Sequence, residues 1–311
     1  MISDTKVVAI GGGTGLSTML KGLKLHTHNI TAVVTVADDG GSSGILRSDL
    51  GMLAPGDVRN CVSALAEVDP VMGELLNFRF KDGSLKGHSL GNLFLAALNE
   101  TSSSFDEAVK KFSHLTGVVG TVYHVTNESV TLSSLLEDGR LIEGESHIGV
   151  HHDGPKNGIV KLMVNPEKPK AVDGVIKALE KADIIVLGPG SLYTSIIPNL
   201  LVDGVVDAIK KSNAVKIYVC NIKSQAERHS YEGIADIVIA NNAIIPESLR
   251  IKYASEHARE VMIDSINVLK RAKLVQGNLL LVRNDKIRHN FSRLARTIMR
   301  LGSDVNYFEN K

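Results

Sequence analysis

Three consecutive glycines, Gly11 to Gly13, follow a short apolar run in the segment KVVAIGGGTGLS. Glycine reaches positive φ angles without steric cost, and turns built from it let backbone amides approach an anion. The residues after the turn have the apolar spacing of a helix, whose amino end favours negative charge. We therefore predict that Gly12, Gly13, Thr14 and Gly15 bind a phosphate group. The alternative is a tight strand-to-helix turn without a ligand, which needs fewer glycines.

Neither of the two common phosphate-binding signatures fits this turn. A dinucleotide fingerprint starting at Gly11 or Gly13 requires its third glycine where Leu16 or Thr18 stands, and a Walker loop requires a lysine that is absent here. The turn thus predicts a phosphate-binding loop without indicating NAD.

The segment GPGSLYTS, residues 188–195, repeats the same pattern of an apolar run, small residues with free donors and a helix. We predict that Gly190, Ser191 and Tyr193 bind a second part of the same ligand from the opposite side. A structural turn in the left-handed region is the alternative for this segment.

Asp38 and Asp39 end the second apolar run and precede the segment GGSSG, which we interpret as a glycine-rich loop. A carboxylate about 20 residues past a glycine turn is where doubly wound sheets bind a ribose hydroxyl, and paired carboxylates also suit Mg²⁺ beside a phosphate. The alternative is a turn with solvated acids. The next loop, APGDVRN, brings Asn60 to the same edge, and we expect its Asp57 to be only a helix N-cap.

The segment GHSLG, residues 87–91, matches the nucleophile elbow of α/β-hydrolases, with Ser89 as the nucleophile. That motif requires a strand directly before it, whereas the preceding FKDGSLK is charged and typical of a turn. We therefore expect Ser89 to cap a helix whose first turn, with Asn92, faces a ligand. A serine hydrolase stays open as an alternative function.

Metal and redox chemistry have little support. GVHHDG, residues 149–154, contains adjacent histidines without the i, i+4 spacing of a helical zinc site, so we assign no metal. Cys61 and Cys220 lie in separate patterned segments and are predicted to be reduced core residues. The first residues resemble neither a signal peptide nor a membrane span. We expect a cytoplasmic protein.

The overall charge disfavours whole classes of partner. Among 311 residues, 35 are basic and 34 acidic, which gives a formal charge of +1. No overall field therefore attracts nucleic acid or an anionic membrane, and an anionic ligand must be held locally. We expect no nucleic-acid partner.

These residues must be positioned by alternating short apolar runs and helical stretches, a pattern typical of βα units. The predicted fold class is α/β, a Rossmann-like, doubly wound and mostly parallel sheet. The predicted elements are strands at 7–10, 30–39, 214–221, 236–240 and 279–282, a strand plus loop at 183–191, and helices at 16–25, 171–182, 197–212 and 291–301. We predict a single domain over residues 1–311, with a helical insertion at 55–115 and a β-ribbon at 118–164 that turns at Asp138 and Gly139.

The segments IGGGTGLS, VTVADDGGSSGILR, PGDVRN, GHSLGN and LGPGSLYTSIIPNLL together resemble the CofD and YvcK-like family over most of the chain. One branch of that family contains 2-phospho-lactate transferases, which use a nucleotide-activated substrate and a deazaflavin acceptor. The other contains bacterial gluconeogenesis factors, which bind UDP-sugars and support cell shape and wall synthesis during gluconeogenic growth. The segments GGGTGLS, VADDGGSSG and GPGSLYTSI are more similar to the second branch.

This resemblance implies that Tyr253 in IKYASEHA and Arg288 in KIRHN contact the nucleotide sugar, and it places Asn221 in the same site. Arginine pairs well with a diphosphate. One departure follows Asn221, where the family usually has a polar loop of the type T-Q-x-G-E-T and this sequence continues with IKSQAERHSYEG. Either the protein lacks that loop or the sequence given omits it, and we expect omission.

The resulting hypothesis is a UDP-sugar-binding protein that requires no cofactor and is compatible with Mg²⁺. The two glycine turns hold the phosphates, while Asp38, Asn60, Ser89 and Asn92 bond ribose or sugar hydroxyls. The enzymatic alternative is a CofD-like transferase with Mg²⁺ at Asp38 or Asp39. A cell-wall or morphogenesis protein as partner and a homo-oligomer are both compatible with this hypothesis.

Overall fold

The computed structural model describes residues 2–150, 158–224, 234–255 and 258–303. Its strands are β1 (Val7–Gly11), β2 (Ile30–Val34), β3 (Thr121–His124), β4 (Thr131–Leu136), β5 (Leu141–Glu143), β6 (Ile159–Asn165), β7 (Ile184–Leu187), β8 (Val215–Val219), β9 (Lys223–Ser224), β10 (Ile237–Asn241), β11 (Arg259–Glu260), β12 (Lys273–Gly277), β13 (Leu280–Arg283) and β14 (Lys286–His289). Its α-helices are α1 (Gly13–Leu23), α2 (Gly41–Leu50), α3 (Pro55–Leu65), α4 (Pro70–Asn77), α5 (Leu90–Glu100), α6 (Phe105–Leu115), α7 (Glu145–Val150), α8 (Asp173–Glu180), α9 (Ile197–Leu200), α10 (Val205–Lys211), α11 (Glu247–Ser255), α12 (Ser265–Leu269) and α13 (Phe291–Ser303). A π-helical turn, Leu192–Ile196, precedes α9.

Seven strands form one parallel sheet in the order β12-β10-β8-β7-β1-β2-β3. The chain moves outward from β1 through β2 to β3 on one side, and through β7, β8 and β10 to β12 on the other. This is a doubly wound sheet, and its strand order reverses between β1 and β7. The predicted α/β fold class is confirmed.

Helices cover both faces of the sheet. Val7 and Ala9 of β1 belong to one buried cluster, together with apolar residues of α1, α3 and α13. Val8 and Ile10 point into a second cluster with residues of α8 and α10. A strand that is buried on both faces needs a continuous apolar run, which is the pattern that the sequence has.

Five helices, α2 to α6, lie between β2 and β3. After β3, the strands β4, β5 and β6 form a separate antiparallel sheet, in which β4 and β5 are joined through Asp138 and Gly139. Gly139 has a φ of +85°, as this turn requires. The predicted helices and small antiparallel sheet are present, whereas the division of the chain into one domain with an insertion stays a prediction.

Helix and strand bounds differ from the prediction around the first two turns. Helix α1 begins at Gly13, three residues before the predicted start, and α2 begins at Gly41, within the segment GGSSG that we interpreted as a loop. Strand β2 ends at Val34, five residues early, because its partners β1 and β3 both end opposite that residue. Glycine lowers intrinsic helix propensity, and packing overrides it here.

Further differences occur in the second half of the chain. Residues 197–212 form two helices, α9 and α10, separated by Gly204 with a φ of +83°. The strand predicted at 279–282 is β13, which pairs only with β14 outside the central sheet, while the edge strand β12 was not predicted. The sequence of β12, KLVQG, has little apolar pattern, because a strand at the edge of a sheet has a neighbour on one side only and is partly exposed.

Both cysteines, Cys61 and Cys220, are free and buried, which confirms them as core residues. The adjacent histidines His151 and His152 lie outside the described residues. Most of the segment after Asn221, in which the sequence departs from the family pattern, lies outside them as well. Within the described ranges, no helix has the length and apolar character needed to cross a bilayer.

Candidate functional site

A pocket of about 190 Å³ opens at the carboxyl edge of the central sheet, where the strand order reverses. Four segments line it, one after β1, one after β7, one after β8 and one on β14. Its lining residues are Gly12, Gly13, Thr14, Gly15, Thr18, Gly190, Ser191, Ser195, Asn221, Ile222, Ile287, Arg288 and His289. Doubly wound sheets bind their ligands at this position.

The first glycine turn forms the N-terminus of α1. Gly12 is the N-cap and has no side chain of its own to cap the helix, while the amide of Gly13 is bound by Asp57 of another segment. The amides of Thr14 and Gly15 lie in its first turn, where an α-helix offers no acceptor. A Cβ atom on Gly15 would lie 2.3 Å from the carbonyl oxygen of Pro189, so the two turns approach too closely for any other residue. The first turn therefore offers amide donors and a helix dipole to the pocket.

The second glycine turn satisfies more of its own amides. The hydroxyl of Ser191 accepts a hydrogen bond from the amide of Thr194 at 3.3 Å and so caps the π-helical turn. Gly190 and Ser191 line the pocket, together with Ser195, which we did not predict. Tyr193 is half buried, packs against both apolar clusters and is not among the lining residues. Its contact with a ligand stays a prediction.

Asp57 lies beneath the first glycine turn. Helix α3 begins at Pro55 with Ala54 as its N-cap, so the prediction that Asp57 is only an N-cap is wrong. Its carboxylate is partly buried and accepts a hydrogen bond from the amide of Gly13. Burial, and secondarily the nearby charge of Asp38, raise the pKa of Asp57 to about 7. A Cβ atom on Gly12 would lie 2.7 Å from this carboxylate, which accounts for that glycine.

A second, partly buried acid, Glu145, was not predicted. It is the first residue of α7, and its side chain is hydrogen-bonded to Thr194 after the second glycine turn. Burial raises the pKa of Glu145 to about 7, and the charges of Asp38 and Asp39 act in the same direction. No motif marks Glu145 in the sequence, since about 90 residues separate it from Asp57 and only the fold brings the two acids to the same edge of the sheet.

The structure gives Asp39 a different role from the predicted ribose or Mg²⁺ contact. Its two carboxylate oxygens accept hydrogen bonds from the amides of Glu145 and Ser146, both at 2.9 Å, so Asp39 caps α7. Asp38 accepts a hydrogen bond from the amide of Gly40 at 3.0 Å and does not line the pocket. In the described part of the chain, no three acidic, histidine or cysteine side chains are grouped to hold a metal.

Ser89 is the N-cap of α5 and accepts a hydrogen bond from the amide of Asn92 at 3.2 Å, as predicted for a cap. Its side chain is 1% exposed, and a turn rather than a strand precedes it. The nucleophile elbow requires the opposite on both counts, so the hydrolase alternative has no structural basis.

Asn92 belongs to a buried polar network instead of the pocket. It accepts a hydrogen bond from Arg59 at 3.2 Å and donates to Ser42 at 3.1 Å, and Ser42 is bonded to His88. Neither Ser89 nor Asn92 lines the pocket, and Asn60 on α3 does not line it either. The predicted contacts of these three residues with sugar hydroxyls are therefore not supported by their positions.

Asn221 and Arg288 do line the pocket, as predicted. The side-chain oxygen of Asn221 accepts a hydrogen bond from the amide of Ile222 at 3.0 Å. The guanidinium of Arg288 donates to the carbonyl of Ile287 at 2.9 Å, and no carboxylate of a described residue forms an ion pair with it. This arginine is available to an anionic ligand.

Tyr253 supports the pocket from behind. Its phenolic oxygen accepts a hydrogen bond from the amide of Ile287 at 3.0 Å, and its ring packs with Ile222 and Ile287 in a third apolar cluster. It is 6% exposed and is not among the lining residues. Tyr253 was predicted to contact the ligand directly, and in the structure it supports Ile222 and Ile287, which line the pocket.

Comparison with known proteins identifies the family of this chain. The family model described as 2-phospho-L-lactate transferase CofD matches residues 7–280. A relative from Thermoanaerobacterium thermosulfurigenes is 48% identical over 96% of this chain and 98% of its own. Relatives from Halalkalibacterium halodurans and Bacillus subtilis, both named gluconeogenesis factor, are 41% and 40% identical over 94% and 95% of this chain and 95% and 98% of theirs.

A crystal structure of a Bacillus halodurans protein of the UPF0052 family has the same fold, with a TM-score of 0.89 and 39% sequence identity. The match covers 95% of this chain and 99% of that one. This chain therefore belongs to the CofD family and, within it, to the proteins named gluconeogenesis factor.

Proposed function

We propose that this protein is a cytoplasmic nucleotide-sugar-binding protein whose ligand is a UDP-sugar. Binding reports the supply of that metabolite and so supports cell shape and wall synthesis during gluconeogenic growth. The observation that carries the proposal is the pocket itself, which is lined by the first residues of α1 and by Arg288 and lies at the switch point of the sheet.

The donors around the pocket suit a diphosphate. The amides of Thr14 and Gly15 and the dipole of α1 favour negative charge on one side, and a guanidinium forms strong paired hydrogen bonds to phosphate oxygens on the other. Pockets that enclose a drug-sized ligand have about 300–1,000 Å³. A pocket of about 190 Å³ therefore accommodates the diphosphate and an adjoining ring, while the rest of a UDP-sugar extends beyond it.

Isothermal titration calorimetry with UDP-glucose and UDP-N-acetylglucosamine tests this proposal. Arg288→Ala should weaken binding roughly 10- to 100-fold, because a hydrogen bond to a charged group contributes about 1.5–3 kcal/mol. Arg283→Ala is the matched control, since Arg283 is an exposed arginine on the same hairpin and does not line the pocket.

Two results would count against nucleotide-sugar binding. One is the lack of any heat of binding with the wild-type protein at millimolar UDP-sugar. The other is an Arg283→Ala variant that loses as much affinity as Arg288→Ala, since a general loss of positive charge would then explain both.

A CofD-like transferase is the second candidate, favoured by the family model and by two partly buried acids, Asp57 and Glu145, with pKa values of about 7. Groups that titrate near neutral pH suit proton transfer. Mg²⁺ at Asp39 does not fit, because both carboxylate oxygens already bind amides. Formation of product from a nucleotide-activated acid and a deazaflavin acceptor would favour this candidate over a binding protein.

A further inference from the structure

His289 is the pocket residue whose chemistry differs most from that of its neighbours. It follows Arg288 on β14, and its imidazole lines the pocket with 5% of its surface exposed. Nε2 lies 3.2 Å from the carbonyl oxygen of Cys220. A carbonyl oxygen only accepts hydrogen bonds, so Nε2 carries the proton.

The other ring nitrogen has no protein partner among the described residues. Nδ1 forms no hydrogen bond there, and it is not one of the polar atoms that are sealed inside the protein without a partner. Burial lowers the pKa of His289 to about 4, and the Cys220 carbonyl opposes this only in part. At neutral pH the ring is therefore uncharged, with a lone pair on Nδ1.

A lone pair is unusual in this pocket. The first glycine turn offers amide donors, and Arg288 offers a guanidinium, which cannot accept a hydrogen bond. Phosphate oxygens are acceptors at neutral pH and would be repelled by Nδ1. The pocket thus offers two kinds of contact. The amides of the first glycine turn and the guanidinium of Arg288 favour phosphate, and His289 favours a donor group of the ligand.

We propose that His289 determines ligand specificity by accepting, at Nδ1, a hydrogen bond from a sugar hydroxyl of the bound nucleotide sugar. This inference rests on the proposed function of the pocket and adds a residue that discriminates a sugar-bearing ligand from a bare diphosphate. Bonding between Nε2–H and the Cys220 carbonyl fixes the tautomer that makes this possible.

Two variants separate the roles of the two ring nitrogens. His289→Gln places an amide near Nε2, so a donor to Cys220 is kept and the acceptor at Nδ1 is lost. His289→Asn does the reverse, since its amide oxygen can take the place of Nδ1 and cannot reach Cys220. Calorimetry should measure the dissociation constants of UDP-glucose, UDP and pyrophosphate for both variants and the wild type, with thermal unfolding of each variant as a check on folding.

We expect His289→Gln to weaken UDP-glucose binding about tenfold relative to pyrophosphate, as expected for an unpaired polar group in a binding site. His289→Asn should keep most of the wild-type preference for UDP-glucose, even if its unfolding temperature is lower. A UDP affinity that falls in parallel would assign the hydroxyl to ribose, and one that stays constant would assign it to the hexose; both support the proposal.

An unchanged ratio of the two dissociation constants in His289→Gln would overturn the role of His289 while leaving nucleotide-sugar binding intact. An equal loss of the preference for UDP-glucose over pyrophosphate in both variants would also overturn this role. The loss would then come from the missing imidazole ring and its placement by Cys220, and not from the acceptor at Nδ1. Failure of the wild-type protein to bind UDP-glucose would instead remove the proposed function, and this inference with it.

Discussion

The two glycine turns follow adjacent strands of one sheet and line the same pocket, yet they treat their backbone amides differently. The first turn begins a regular helix whose N-cap residue, Gly12, has no side chain to accept a hydrogen bond. The second begins a π-helical turn, and Ser191 caps it with its own hydroxyl. A glycine-rich segment therefore indicates where a chain can approach a ligand, while neighbouring side chains decide which amides are left for that ligand.

The support beneath each turn differs as well. Asp57, on α3, binds the Gly13 amide of the first turn, whereas the second turn is held from within its own segment by Ser191. Glu145 is hydrogen-bonded to Thr194, in the π-helical turn that follows the second glycine turn. The first turn thus receives a carboxylate from another segment directly at its backbone, and the second receives a hydroxyl from its own segment.

Gly15→Ala should have the largest effect on stability and is the most direct test of the difference between the two turns. Its Cβ atom would lie 2.3 Å from the Pro189 carbonyl oxygen, so the two turns would be forced apart. We expect the free energy of unfolding to fall by about 3 kcal/mol or more, with loss of UDP-sugar binding. Urea denaturation and calorimetry measure the two effects.

Gly190→Ala is the matched variant on the second turn. Its Cβ atom would lie 3.1 Å from the Cβ atom of Ser195, a side-chain contact that can adjust, so we expect a loss of only about 1 kcal/mol. Equal losses in the two glycine variants would contradict the view that the first turn is the more constrained.

Asp57→Asn should have the next largest effect, and it appears in the pH dependence of stability. The pKa of Asp57 is raised from 3.8 to about 7 in the folded protein, so its stabilising protonation is complete below pH 3.8 and is lost as pH rises through 7. Wild-type stability should fall by about 2–3 kcal/mol from pH 5 to pH 8 through this group. Asparagine stays neutral and keeps an acceptor for Gly13, so the variant should show a flatter profile.

Urea denaturation at several pH values between 5 and 8 measures this slope. Glu145→Gln is the companion variant, because the pKa of Glu145 is raised in the same direction and accounts for part of the remaining slope. A full wild-type slope in Asp57→Asn would show that the carboxylate beneath the first turn is not the group that titrates.

Ser191→Ala should have a small effect on stability, similar to that of Gly190→Ala. Loss of an N-cap hydroxyl costs about 1 kcal/mol, and UDP-sugar affinity should change less than in Arg288→Ala. Thermal unfolding and calorimetry test both statements. Affinity that falls as far as in Arg288→Ala would mean that Ser191 serves the ligand more than its own turn.

The fold was predictable where local pattern is strong. The βα unit around the first turn, the antiparallel turn at Asp138 and Gly139 and the helices after Pro55 all follow from apolar spacing and turn residues. Helix α2 and strand β12 were missed, since tertiary packing stabilises a glycine-rich helix and half-exposed edge strands lack a clear pattern.

For the site, the sequence predicted positions better than roles. The backbone groups of the glycine turns lie at the predicted edge of the sheet, because their position depends on the path of the chain and not on the orientation of a side chain. The side chains of Asp39, Ser89 and Asn92 instead bond to nearby amides and to a buried arginine. Asp57 shows the opposite error, since a residue expected to cap its own helix supports another segment.

By itself, the sequence determined the alternation of strands and helices, both glycine turns and the family, because these features depend on local spacing. The tertiary structure alone decided the strand order that places the two turns side by side, and with it the approach of β14 that brings Arg288 and His289 to the pocket. The physical reason is that burial and hydrogen-bond partners arise from segments distant along the chain. Asp57 and His289 acquire their unusual protonation from such neighbours.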